Sequence, residues 1–240
     1  MKPNKLIFFY LLLLLFIQLF ANAQNSFDSS FADAASVYKN AMGVNIHLFN
    51  GSEYVNYDHR ITGDPFFESV FFKSGSLVYD GIPYTDIKMS YDILNDDVVI
   101  TNYNGLPLLL TKEKISSFDF AGHYFIKVVT DSTASAMKTG FYDVLHNGTT
   151  KLLAKRKKEI TEKISTQYSE SFFTQHDRYY IVKDSVSYAV RDRRSALNVM
   201  KNRKNELSKF IHQNKIKFHK NFEAALLKTV AYYDSLNPGK

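Results

Sequence analysis

The 240-residue chain contains no cysteine and no tryptophan. Without cysteine there are no disulfides, thiol nucleophiles, thiolate-bound metals or lipidated N-terminal cysteine. The core alone must hold the fold. Gly-x-Ser-x-Gly is missing, and with it the strand-to-helix elbow that presents a hydrolase serine. Gly75-Ser76 lacks the second glycine. His-Glu-x-x-His is missing too. His47 and His59 flank a turn, and His212 and His219 stand seven apart. Neither pair has the helical spacing of three or four that would put two imidazoles on one face. There is no internal repeat, no low-complexity linker and no nucleic-acid motif. The apolar runs after the N-terminus are shorter than the about 9–11 residues of an outer-membrane strand, so a membrane barrel is not expected. No catalytic residue, metal or cofactor is assigned.

What is present begins with a three-part leader. Lys2 and Lys5 precede an apolar run from Leu6 to Phe20, and Ala21-Asn22-Ala23 forms a small-x-small cleavage pattern. The run is shorter than the about 20 apolar residues that span a bilayer. Residues 1–23 are therefore expected to be a signal peptide cut between Ala23 and Gln24, with a retained anchor as the competing reading. The mature chain is expected to be exported, periplasmic or extracellular, with no transmembrane span.

The formal charge of +6 conceals a division. Residues 24–144 carry eight basic and fifteen acidic side chains, a net of −7, whereas residues 145–240 carry twenty and nine, a net of +11. Such segregation has two readings: the halves neutralise one another, or a basic face meets an anionic lipid, glycan or acidic partner.

Residues 24–43 read as an arm or short helix. From 44 to 190, aromatic and β-branched segments are punctuated by Asn50-Gly51, Ser74-Gly75, Asp80-Gly81, Asn104-Gly105 and Asn147-Gly148. Asn-Gly and Asp-Gly favour tight hairpins because both residues tolerate positive φ. Ile87, Met89 and Tyr91 share one parity and Asp86, Lys88 and Ser90 the other, as in a half-buried strand. Residues 151–177 read as a boundary or as one long exposed hairpin. Residues 191–240 switch to helical period, with Ser195 and Asn221 as expected N-caps. Leu207, Phe210, Leu226 and Val230 are expected to face the sheet. The expected fold is mainly β: an antiparallel sandwich or open barrel carrying two to three short C-terminal helices.

Two segments stand out as binding candidates. Phe66, Phe67, Phe71 and Phe72 follow Pro65 with apolar side chains on both parities, a candidate ligand surface. Lys155, Arg156, Lys157 and Lys158 form a basic run suited either to an anionic surface or to blunting a sheet edge. Asp92, Asn95, Asp96 and Asp97 supply oxygen ligands near a turn but lack the glycine and glutamate of a calcium loop, so an acidic turn is preferred. Glu53, Asp58, Asp64, Glu68, Asp80 and Asp92 could furnish a carboxylate pair for sugar hydrolysis.

The series His47–Val55, Asp64-Pro65-Phe66-Phe67, Val78-Tyr79-Asp80-Gly81, Tyr91-Asp92-Ile93, Phe118 with Gly122-His123-Tyr124-Phe125, Gly140–Leu145 and Tyr232-Tyr233-Asp234, in that order, resembles a group of uncharacterised exported proteins of Bacteroidota. The resemblance implies export and a shared fold, and carries no activity or site. The expected function is a non-catalytic exported module that binds an envelope protein or an anionic glycan or lipid surface. The alternatives are a carboxylate hydrolase of envelope glycan or lipid and a small-ligand carrier.

Overall fold

A computed structural model describes residues 44–68, 71–130, 135–164 and 168–236. The expected leader, the expected arm at residues 24–43 and the expected cleavage point between Ala23 and Gln24 lie outside the described residues. The chain divides into a unit of residues 1–50 and a unit of residues 51–240. In the first, the 3-10 helix Val44–Asn50 occupies the start of the stretch expected to be β.

The second unit is mainly β. Its strands are β1 (Ser52–Glu53), β2 (Ile61–Thr62), β3 (Lys73–Tyr79), β4 (Ile82–Asp92), β5 (Asp97–Thr101), β6 (Pro107–Leu109), β7 (Ile115–Phe120) and β8 (His123–Val128). They continue as β9 (Gly140–Asn147), β10 (Lys151–Lys155), β11 (Lys158–Ile164), β12 (Ser169–Gln175), β13 (Arg178–Lys183) and β14 (Val186–Val190). Eleven form one antiparallel sheet in the order β1-β6-β5-β4-β3-β7-β8-β9-β10-β13-β14, open at both ends. The others form a small sheet, β11-β12-β2, in which β12 and β2 run parallel. Residues 151–177 are thus β10, an interior strand of the large sheet, followed by the largely exposed hairpin β11–β12.

Turn chemistry explains much of the meander. Asp80 and Gly81 both have positive φ, 50° and 76°, the geometry of a tight β3–β4 hairpin. Ala121-Gly122 and Asp184-Ser185 make the same turn without an Asn-Gly or Asp-Gly signature. Ser74-Gly75, by contrast, lies inside β3 and is not a turn. A Cβ on Gly75 would lie 2.5 Å from the Asp119 carbonyl oxygen and 2.7 Å from the Met89 sulfur, so the glycine admits close strand approach.

Alternation then sorts the side chains. Ile87, Met89 and Tyr91 are buried, and Asp86 and Lys88 are exposed. Ser90 departs from the pattern and is buried, because the end of β4 is covered on both faces. Tyr91, Phe118, Phe125, Phe141 and Phe67 interlock, with Phe118 and Phe125 stacked at 4.7 Å. Along β10, adjacent Leu152 and Leu153 enter opposite clusters. Leu153 joins Tyr142, Tyr180 and Met137, while Leu152 joins Ile181 and Val190 beneath the helices.

Three short helices close the chain: α1 (Arg193–Val199), α2 (Lys204–Gln213) and α3 (Phe222–Ser235). Asn221 caps α3 by accepting from the Ala224 N–H at 2.9 Å. At α1 the cap is Asp192, not Ser195; Ser195 sits at the third helical position and completes a reciprocal capping box. Leu207, Leu226 and Val230 are buried against Leu152, Ile181 and Val190. Phe210 is the exception: it is half-buried and stacks on Tyr232 at 3.9 Å.

Candidate functional site

A recess of about 180 Å³ opens where the loop after β1 meets β12. Its walls are Tyr54, Tyr57, Phe66 and Phe173. Tyr54 and Phe66 lie 5.9 Å apart, and Tyr57 meets Phe173 edge-on at 5.6 Å. Asn56, Asp58, His59 and Asp64 supply its polar rim. The wall forms because β2 pairs in parallel with β12, which brings residue 173 to residues 57–63.

Each polar group behind this wall is held. Asp92, buried at the end of β4, accepts from the hydroxyls of Tyr54 at 2.9 Å and Tyr57 at 2.8 Å. It also accepts from the amides of Leu94 and Asn95. Burial, and then the Asp92 carboxylate, pushes both phenols far above their ordinary range. Both tyrosines therefore stay protonated and fixed as donors to Asp92. Lys158 donates to the Asp64 carboxylate at 3.1 Å and to the Asp64 and Phe66 carbonyls, fastening the turn that presents Phe66. Hydrogen bonds from Arg60 hold the Asp58 carboxyl well below the usual carboxylate range.

The sequence candidates are distributed differently from a surface patch. Of the four phenylalanines, Phe66 lines the recess, Phe67 is 2% exposed in the aromatic core, Phe72 is half-buried, and Phe71 is 75% exposed. They form no single ligand surface. The basic run is likewise not an exposed patch. Lys155 pairs with Asp96 at 2.6 Å, Lys158 with Asp64, and Lys157, the most exposed of the four, with Glu159 at 2.9 Å.

Arg156 is 5% exposed and is the centre of a buried charge cluster. Its Nε and Nη2 donate to Asp143, and its Nη1 to Asp177 at 2.5 Å and Glu223 at 2.6 Å. His123 Nδ1 lies 2.8 Å from the same Asp143 oxygen, and the Tyr179 hydroxyl donates to Glu223. Burial alone would lower the guanidinium pKa, but hydrogen bonds to Glu223 and Asp143 hold it above its ordinary value. Burial pushes the Glu223 pKa up, and the bond from Arg156 overcomes this to leave it lowered. The cluster ties the first turn of α3 to β9 and to the residues that follow β10 and β12. A broader concavity of about 590 Å³ passes beside Asp177 and Tyr179, whose polar atoms are already turned into this cluster.

The acidic turn is dispersed in the same way. Asp92 serves the tyrosines, Asp96 accepts from Tyr91, Lys155 and the Phe141 amide, and Asp97 pairs with Lys112 at 2.6 Å. No metal-binding group of three or more His, Asp or Glu side chains is found among the described residues. Of the six acids considered for sugar hydrolysis, Asp58 and Asp64 reach the recess rim, and Asp92 lies behind its tyrosines. Proton transfer to a glycosidic oxygen needs a carboxyl kept protonated near neutrality. Asp58 is pushed the other way, and Asp64 is ion-paired. Burial raises the Asp97 pKa, but Asp97 is bonded to Lys112 and does not line the recess.

Sequence reasoning missed Tyr54, Tyr57 and Phe173 as recess residues. The Phe172-Phe173 pair was visible as an aromatic signal, but nothing local joins it to residues 54–57. Comparison with family models, curated proteins and solved structures finds no match for the chain. Among the described residues, no helix is long and apolar enough to cross a membrane.

Proposed function

We propose that the protein is a non-catalytic exported binding module and that the aromatic recess takes one sugar ring of an envelope glycan. The observation that carries this reading is the combination of four aromatic walls with a polar rim on which Arg60 holds Asp58 and Lys158 holds Asp64. Sugar rings present C–H faces that pack on aromatic side chains, and hydroxyl edges that need acceptors such as Asn56, Asp58 and Asp64. The volume matches the share of about six water molecules, enough for a single ring and too little for a folded segment. Arg60 holds the rim carboxylate Asp58 in its charged form, so the fit favours a neutral or cationic sugar.

Titration of residues 24–240 with soluble peptidoglycan fragments, chitooligosaccharides and cello-oligosaccharides, followed by tyrosine fluorescence and calorimetry, tests this. At least one series should bind, and Phe173→Ala should weaken it by about tenfold or more with the fold intact by circular dichroism. Tyr57→Phe, which keeps the ring and loses the bond to Asp92, should bind more tightly than Phe173→Ala. Failure of every series to bind, or equal binding by Phe173→Ala, ends the reading.

A further inference from the structure

The charge segregation in the sequence has a local expression on the helices. Residues 191–236 carry eleven basic and four acidic side chains, a net of +7. The acids are all engaged elsewhere. Asp192 caps α1, Glu206 pairs with Arg203, Glu223 turns inward to Arg156, and Asp234 turns inward to His146 and the Thr150 amide. The outward lysines are left without carboxylates. Four of them, Lys215, Lys217, Lys220 and Lys228, line one depression of about 230 Å³ between the end of α2 and the face of α3. None of the four has a carboxylate within ion-pair distance among the described residues.

The backbone adds a second observation. Helix α2 ends with the Lys215 N–H donating to the His212 carbonyl and the Ile216 N–H to the Ile211 carbonyl, a Schellman ending. Its left-handed position is the natural place for glycine, yet Lys215 occupies it at φ 50°. That side chain stands at the rim of the depression.

We propose that this depression binds a phosphate group, supplied either by the head group of an anionic phospholipid or by a soluble phosphate ester. Four lysines line one small concavity, and an anion entering it offsets their like charges. Lysines contact phosphate as point charges without a fixed geometry, which suits side chains this exposed. No large apolar side chain other than half-buried Ile216 lines the depression, so attachment is electrostatic and weakens steeply with salt. This site is separate from the sugar recess, and Phe173→Ala serves as its control.

The test uses residues 24–240 with three probes at low salt: inorganic phosphate by calorimetry, and co-sedimentation with vesicles of phosphatidylcholine alone or mixed with phosphatidylglycerol. Binding to the mixed vesicles and not to the neutral ones, uncompeted by phosphate, identifies the lipid head group. Binding of phosphate itself, with competition, identifies a soluble ester. Neutralising Lys217, Lys220 and Lys228 together to glutamine should weaken either binding by about a hundredfold, against little change for Arg193→Gln with Arg194→Gln. Lys215→Gly should weaken binding by about fivefold while raising the melting temperature. The proposal falls if neither probe binds, if poly-glutamate binds as tightly as the phosphate probes, or if the arginine variant loses as much as the lysine variant.

Discussion

Cations in the β framework and cations on the helices are used in opposite ways. In the framework, Lys112, Lys114, Lys155, Arg156 and Lys158 each hold a carboxylate, at 3.1 Å or closer. All five of those partners lie in the acidic stretch before residue 145, and three of the pairs, Lys155–Asp96, Arg156–Asp143 and Lys158–Asp64, join it to the basic half, so the two halves of the sequence do neutralise one another there. On the helices the acids are taken up by a cap, by Arg203 or by inward partners, and the lysines are left to solvent. Position in the fold, and not residue type, decides whether a basic side chain stabilises the protein or remains available to a ligand. A buried pair is costly to break because removing one partner strands the other charge. An exposed lysine with no partner is worth almost nothing to stability.

The contrast can be tested by substitution. The largest effect is expected where the basic helices attach to the sheet. Leu226 is fully buried between Leu152, Ile181 and Val190. Leu226→Asp removes that burial and inserts a lone charge, which should cost more than about 5 kcal/mol and abolish soluble expression. An unchanged melting curve would show that the helices do not need this seam. Next comes the framework. Arg156→Ala leaves the buried Asp143 carboxylate without its guanidinium and should lower unfolding free energy by about 3–5 kcal/mol in urea titration. A loss no larger than that of a surface substitution would mean that the cluster relaxes or takes in water. The smallest effect is expected on the helices. Lys217→Gln with Lys220→Gln should shift stability by no more than about 0.5 kcal/mol, whatever it does to ligand binding. A loss comparable to that of Arg156→Ala would erase the distinction.

Much of the framework was legible because its signals are local. Asp80-Gly81 announces its hairpin through two positive φ angles, the alternation of Ile87, Met89 and Tyr91 announces a half-buried strand, and Asn221 announces the start of α3. Misreadings arose where one signal had two meanings. Gly75 looks like a turn residue but is a spacer between strands. Asp192 and Ser195 both suit a cap, and only the geometry assigns their order. Ala121-Gly122 and Asp184-Ser185 turn without a signature. The basic run at 155–158 reads as surface because the acids that hold Lys155, Arg156 and Lys158 lie about 13 to 94 residues away, in pairings that the chain reveals only when folded. The recess was hidden for the same reason: Tyr57 and Phe173 are neighbours only through the parallel pairing of β2 and β12.

That pairing sets a timing rule. The two tyrosines and the last wall facing them are separated by more than a hundred residues of chain, so the cavity exists only once β2 and β12 have paired. A chain cut short before residue 173 would carry the hydroxyls and their aspartate acceptor but lack the Phe173 wall that faces them. The recess is therefore a property of the finished molecule and of no shorter piece of it.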